Sequence, residues 1–413
     1  MRKHIWIINH YAGSMYFDKG WRHYNFAKYL KKAGYEPTIF CSNSKHGPAE
    51  TWFPDNCLWQ EHMAEEIKVP FVFVKARTYT GSGKQRVLNM MDFYRNVKKT
   101  ARAYTVAYGK PDIIYASSVH PLTLVAGIQL AKHFGVECIC EVRDLWPETI
   151  VAYSSRFTRN HPLIKLLYQG EKWIYKRTDR LIFTMAGGVD YIRERGWEKA
   201  VSLSKVYHIN NGVDLPVFDA NRERYRVEDS DLSNPKFFKV VYAGSIRRAN
   251  NLGMILDAAK KISDPRIKFL IWGDGDELSA LRRRVEEENI RNVQFKGQVG
   301  KEYVPSVISQ ADAVLLHWEI ADIQRFGTSN NKLFEYLAAG KPVFSTVTPA
   351  YSIVQDKQCG MEVASPQRIA EGIQVMAALP QIDLDRMGQN ARRAAKDYDF
   401  QNLTAQLMKV IES

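Results

Sequence analysis

Cysteine is scarce. Five occur in 413 residues (Cys41, Cys57, Cys138, Cys140 and Cys359), an odd number with no CxxC pair. That argues against a disulfide framework. Cys138 and Cys140 alternate along an apolar stretch, so buried free thiols and a reducing cytoplasm are expected. Long apolar runs are also missing: a membrane-spanning helix needs about 20 mostly apolar residues, and no stretch approaches that. The apolar tetrad Ile5–Ile8 is too short for a signal-peptide core and reads as a first strand. There is no short-period repeat and no low-complexity tract, which excludes solenoid and disordered classes. Acid is the last shortage. Lys and Arg number 58 against 45 Asp and Glu, a net charge of +13. Such a balance suits an anionic partner: nucleic acid, a lipid surface or an anionic substrate. No nucleic-acid-binding motif is present, so nucleic acid is not an expected partner.

What is present is an alternation of short apolar strands with amphipathic helical stretches. Strands are expected at Ile5–Ile8, Pro37–Cys41, Pro70–Val74, Ile113–Ser117, Glu137–Val142, Arg180–Thr184 and Lys205–Ile209, with helices such as Trp21–Ala33 and Leu122–Phe134 between them. This is the pattern of a parallel sheet covered on both faces. The pattern restarts at Phe237 and continues through Ile267–Trp272, Val293–Phe295, Ala313–His317 and Val343–Thr346. The expected class is α/β, with two Rossmann-like domains facing a cleft. The expected boundaries are an N-terminal domain over 1–210, a linker over 211–235, a C-terminal domain over 236–395, and a helix over 396–413 returning to the first domain.

Ligands of such sheets sit at the carboxyl ends of strands, so the strand-end loops carry the chemistry. In the first half these are His10–Gly20, Ser117–Pro121 with His120, and Glu141–Glu148 with Asp144. A lone His is as readily structural as functional, and the third loop also reads as an ion pair over a packed Trp. In the second half, Gly244 permits a close backbone approach in Tyr242-Ala-Gly-Ser-Ile-Arg-Arg248, where Arg247 and Arg248 can meet phosphate oxygens. Gly273–Glu277 is acidic and is assigned turn and capping work. Arg325–Val343 reads as loop, short helix, turn and strand, with Ser329 as N-cap, Gly340 past the helix end and Pro342 beyond. The helix start suits a phosphate. Lys332 and Glu335, three apart, share one face. A cation near a diphosphate and a carboxylate for a ribose diol would bind a nucleotide-sugar; the alternative is a plain surface ion pair.

Taken in order, strand–Ala-Gly-Ser245, Gly273-Asp-Gly275, Phe295-x-Gly-x-Val299, Asp312-Ala-Val-Leu-Leu316 and Asn331-Lys-Leu-x-Glu-Tyr-x-Ala-x-Gly-Lys-Pro-Val343 resemble the retaining family 4 glycosyltransferases of GT-B fold, over nearly the whole chain. Arg143-Asp-Leu-Trp-Pro-Glu148 resembles the subgroup that builds capsule and O-antigen repeats. The resemblance implies a nucleotide-sugar (UDP-linked) held by the second domain and an acceptor held by the first. It implies transfer of a hexosyl or N-acetylhexosaminyl group to a glycan or polyprenyl-diphosphate-linked sugar, with no cofactor and no metal. It places Glu335 on the ribose, Lys332, Arg247, Ser245, Arg248 and Gly244 at the diphosphate, and Gln298 and Val299 at the base. His120 or Asp144 would lie near the donor sugar, and Gly20 would touch the diphosphate. Two departures stand out. Gly327 occupies the position of the family's first acid, so the sugar contact must come from elsewhere, such as the backbone around Thr328 and Ser329. The basic pair of the phosphate loop is Arg247-Arg248 rather than Arg and a later Lys.

Between Lys75 and Lys110 nine Lys or Arg face one acid, Asp92, with tyrosines and a phenylalanine interleaved. This reads either as a solvated helix face or as an anionic membrane contact suited to a lipid-linked acceptor, making the protein peripheral at the inner face of the membrane. Two other functions fit the same plan: a nucleotide-sugar epimerase or hydrolase, and a non-catalytic sugar-nucleotide-binding module.

Overall fold

The computed structural model describes all residues except 1, 2, 48, 82, 119, 155 and 364. The chain divides into two compact units, Met1–Asn210 with Phe400–Ser413, and Asn211–Asp399.

Among its described residues the first unit holds eight strands: β1 His4–Ile8, β2 Glu36–Ser42, β3 Trp59–Ala64, β4 Val69–Val74, β5 Ile113–Ser117, β6 Glu137–Val142, β7 Arg180–Phe183 and β8 Val206–His208. They lie in the order β3-β4-β2-β1-β5-β6-β7-β8. All pairs are parallel except the edge pair β3–β4. The order reverses between β1 and β5, where Ile8 pairs with Ala116. The chain leaves both strands there at one switch point, the usual ligand position of such sheets. Ile5, Ile7 and Ile8 are fully buried, as expected for a strand covered on both faces. Helix Phe400–Glu412 puts Leu403, Leu407, Val410 and Ile411 into the same cluster as Ile5, Phe26 and Leu30. That i, i+4, i+7, i+8 stripe is why the C-terminal helix belongs to the first unit.

The second unit holds β9 Phe238–Ala243, β10 Ile267–Trp272, β11 Val293–Gly297, β12 Ala313–Leu316, β13 Val343–Ser345 and β14 Gly360–Glu362. All are parallel, in the order β11-β10-β9-β12-β13-β14. This is the doubly wound Rossmann order, with its switch point between β9 and β12. Residues 211–235, expected as a linker, belong to this unit instead. Helix Leu215–Arg224 is capped by Asp214, and Leu215, Phe218 and Leu232 enter the core. A few well-spaced apolar residues suffice to dock a segment whose composition is otherwise polar. Cys138 and Cys140 are buried free thiols with sulfurs 3.9 Å apart.

Candidate functional site

In the second unit the site is built at the β9–β12 switch point. Helix Asn331–Ala339 is capped by Asn330, whose side chain accepts from the Lys332 N–H at 3.0 Å. The expected cap, Ser329, is used otherwise: its hydroxyl accepts the Asn211 N–H at 3.1 Å, and its carbonyl accepts the Asn211 side chain at 2.9 Å. Gly340 closes the helix in the left-handed conformation, as its position suggested.

From this helix Lys332 reaches back across the loop after β9. Its Nζ donates to the Tyr242 hydroxyl at 2.5 Å and lies 4.3 Å from the ring centre. The Tyr242 hydroxyl in turn donates to the Ser245 carbonyl at 2.8 Å. A side chain at Gly244 would meet the Lys332 Cε at 2.3 Å, so glycine is what lets the lysine lie there. Burial lowers the Lys332 amine to about 8, with Glu335 opposing. Glu335 stands one turn further on, half-buried. Burial raises its carboxyl while Lys301 and Lys332 pull it down. Among the described residues nothing donates to that carboxylate, so it is open to a ligand hydroxyl.

The loop after β9 is braced by the acidic Gly273–Glu277 turn. Ile246 N donates to Asp274 O at 2.8 Å, and Glu277 N donates to Ile246 O at 3.2 Å. Gly273 and Gly275 touch that loop so closely that a Cβ at either would overlap its backbone. The turn thus does the structural work expected of it. Asn250 donates to the Ser245 carbonyl and hydroxyl at 2.6 and 2.9 Å. Arg247 and Arg248 are exposed and have no acidic partner among the described residues. Gln298 is exposed after the outer strand β11, while Val299 packs on the core. Gly327 has φ +84 and ψ 180, a region held almost only by glycine. That conformation accounts for the missing acid, which would be strained there. Thr328 and Ser329 follow it, partly exposed.

In the first unit the β1–β5 switch point brings His10 and His120 together, with His10 Nδ1 2.6 Å from His120 Nε2. His120 sits at the start of helix Pro121–Phe134. Both rings are buried, and His10 also stacks on Phe93. Burial, then Arg86, lowers His120 to about 3. Burial, with His120, His46 and Arg86, holds His10 well below the ordinary histidine range. The outer nitrogens, His10 Nε2 and His120 Nδ1, are buried and have no hydrogen-bond partner among the described residues. Val119 of this loop lies outside the described residues.

The third loop separates its acids. Asp144 is exposed at the end of β6. Glu141 points the other way, fully buried. It accepts from Arg22 Nε at 2.7 Å, from Ser117 at 2.7 Å, from the Tyr115 hydroxyl, and has His23 Nε2 at 3.2 Å. Burial alone would raise Glu141, but Arg22 and His23 hold it well below the usual carboxylate range. Arg22 also donates to the carbonyls of Asn210 and Ile209 at 2.5 and 2.9 Å, which fixes the strand end after β8. Gly20 lies half-buried before Trp21, which takes φ +71 at the start of helix Arg22–Lys32. The residues not foreseen are Tyr242, His10 and Lys301. His10 follows β1 as His120 follows β5, and that parallel position was the available signal.

Two family models match: "Glycosyltransferase Family 4" over residues 22–216 and "Glycosyl transferases group 1" over residues 224–394. A Bacillus subtilis protein named for teichuronic acid biosynthesis, TuaH, is 27% identical over 223 residues, 53% of this chain and 52% of that protein. The alignment thus spans about half of that relative's length. Sucrose-phosphate synthase from Thermosynechococcus elongatus shares the fold, at TM-score 0.73 and 19% identity over 100% of this chain and 98% of that one. So does Anabaena HepE, solved with UDP-glucose, at TM-score 0.63 and 14% identity, covering 100% of both chains. With these two models together covering residues 22–216 and 224–394, the chain belongs to the family 4 glycosyltransferases, and its structural neighbours share the two-Rossmann-domain GT-B fold.

Proposed function

We propose that this enzyme moves a hexosyl or N-acetylhexosaminyl group from a UDP-linked sugar to a hydroxyl of a glycan or polyprenyl-diphosphate-linked glycan. The reaction retains the anomeric configuration, needs no metal, and serves a surface polysaccharide of capsule or O-antigen type. The single observation that carries this reading is Lys332 laid across Gly244 by Tyr242, with the unclaimed Glu335 carboxylate one turn along. In this reading Glu335 accepts from the ribose diol, and Lys332, Arg247, Arg248 and the Gly244–Ser245 backbone hold the diphosphate. The bond from the anomeric carbon to the diphosphate oxygen breaks, a bond to the acceptor oxygen forms, and the acceptor hydroxyl's proton passes to the leaving diphosphate. Fixed cations stabilise the charge that develops on the leaving diphosphate, which is where preorganised electrostatics contribute most. The backbone around Gly327–Ser329 contacts the sugar, Gln298 and Val299 meet the base, and Gly20, His120 and Asp144 serve from the first unit. The names of TuaH and the HepE complex support the polysaccharide and UDP parts of the proposal.

A lipid-linked acceptor would bring the enzyme to the inner face of the membrane. Within Lys75–Lys110, Lys75 and Arg77 are paired with Asp55 and Asp92. Lys84, Arg95, Lys99, Arg102 and Lys110 have no acidic partner among the described residues and remain for an anionic surface.

Proton NMR of the purified enzyme with a UDP-sugar, with and without a glycan acceptor, tests the reaction. UDP release only with acceptor, and a new glycoside keeping the donor's anomeric configuration, are expected. Acceptor-independent UDP release, or an epimerised nucleotide-sugar, would replace transfer with hydrolysis or epimerisation.

A further inference from the structure

Helix Pro162–Arg177 carries two apolar faces. The inner one is formed by Ile164, Tyr168, Ile174 and Tyr175, all buried. The outer one runs through Leu163, Leu166, Gly170, Trp173 and Arg177, spaced three and four apart and therefore in one line along the helix. Leu163 is 48% and Leu166 68% exposed. Trp173 is half-buried, and the Arg177 guanidinium lies 4.5 Å over its ring. Single exposed leucines are ordinary; an aligned stripe ending in a tryptophan is not.

One flank of the stripe is basic, because positions 165, 172 and 176 project to the same side at about 100° per residue. Lys165 and Lys176 are exposed and Lys172 is half-exposed, and none has an acidic partner among the described residues. The only acid of the helix, Glu171, faces inward and accepts from the Tyr175 and Tyr191 hydroxyls, both at 2.6 Å. The outer face therefore combines apolar side chains, an aromatic ring and unpaired cations with no anion. Helix Pro121–Phe134 packs against this helix on one side and against helix Lys84–Tyr108 on the other, so all three form one layer. Its exposed cations Arg95, Lys99, Arg102 and Lys132 extend the positive surface. Among the described residues no helix is long and apolar enough to cross a membrane.

We infer that the outer face of helix Pro162–Arg177 is a docking surface for an anionic phospholipid bilayer, with Leu163, Leu166 and Trp173 entering the acyl boundary and the lysines meeting the headgroups. Charge complementarity selects this occupant. An apolar stripe contributes nothing to a phosphate backbone, and a neutral partner leaves the lysines unanswered. The inference deepens the proposed work at a membrane and shifts the contact from the Lys75–Lys110 segment, which has the charge without an aligned apolar stripe, to this helix.

Co-sedimentation of the full chain with vesicles of phosphatidylcholine, alone or mixed with phosphatidylglycerol, tests it. Binding to the mixed vesicles only, weakened by salt, is expected. Leu163→Gln/Leu166→Gln should lower the partition coefficient at least tenfold. Lys165→Gln/Lys172→Gln/Lys176→Gln should lower it about a hundredfold, from about 1 kcal/mol per basic side chain near the surface. Lys99→Gln/Arg102→Gln should lower it less than the lysine triple. All substituted positions are wholly or partly exposed, and circular dichroism checks that each variant folds. No binding by the wild type, equal binding to both vesicle types, or binding unchanged in the leucine variant would overturn the inference. Transfer is not the readout, so a failure of the donor-site reading would leave this result standing.

Discussion

The imidazoles of His10 and His120 share one hydrogen bond, Nδ1 to Nε2, 2.6 Å long, at the point where the strand order of the first unit reverses. Burial keeps both rings neutral near pH 7. One therefore donates to the other, and protonating both would place two cations in contact in a buried site.

The pair should make the protein acid-sensitive. An unfolded histidine titrates near about 6.5, whereas His120 in the fold titrates at about 3. Between these values the unfolded chain binds protons that the native state refuses. The stabilisation is thus complete above about pH 6.5 and drains away as pH falls toward 3. A single histidine contributes a slope of at most about 1.4 kcal/mol per pH unit. Urea unfolding of wild type and His120→Gln between pH 7 and 4 should show the shallower slope in the variant. Equal slopes would contradict the buried neutral pair.

Glu171 works in the opposite direction. Burial pushes its carboxyl up to about 8, against the pull of the Tyr175 and Tyr191 hydroxyls. The native state then holds a proton that an unfolded glutamate releases near about pH 4.3. This contribution is complete below that pH and is lost as pH rises to about 8. Glu171→Gln cannot ionise, so its stability relative to wild type should be higher at pH 8.5 than at pH 5. The comparison by chemical denaturation contradicts the account if the difference is the same at both.

Gly244→Ala tests whether Lys332 holds the donor. The new methyl meets the flexible end of Lys332, so the lysine must move, and φ +158 adds backbone strain. The melting temperature should fall by a few degrees with the chain still folded at about 25 °C, while UDP-sugar affinity falls about tenfold to a hundredfold, the worth of one charge-assisted hydrogen bond. A variant that binds donor normally would remove Lys332 from the diphosphate role.

Much of this architecture was legible in the sequence. Apolar runs punctuated by glycine marked twelve of the strands, because a covered parallel strand needs a continuous apolar run. The two exceptions have physical reasons. Trp59–Ala64 is an edge strand with a polar, half-exposed sequence, and Gly360–Glu362 is the other sheet's edge strand, partly exposed along its length and without an apolar run. Side-chain partnerships were the illegible part. Lys332 and Tyr242 lie 90 residues apart, and His10 and His120 lie 110 apart. Each pair meets only because its strands are neighbours at a switch point, which no local pattern encodes. Likewise Asn330 and Ser329 are equally good caps by type. What separates them is the hydrogen bonding of Ser329 to Asn211.

The central claim is that the second unit holds a nucleotide-sugar by Lys332 and Glu335. Isothermal titration calorimetry of UDP-sugars against wild type, Lys332→Ala and Glu335→Ala tests it directly. The account predicts a single site on the wild type, weakened at least tenfold in each variant with folding intact. No UDP-sugar binding by the wild type, or equal affinity in all three proteins, would contradict it.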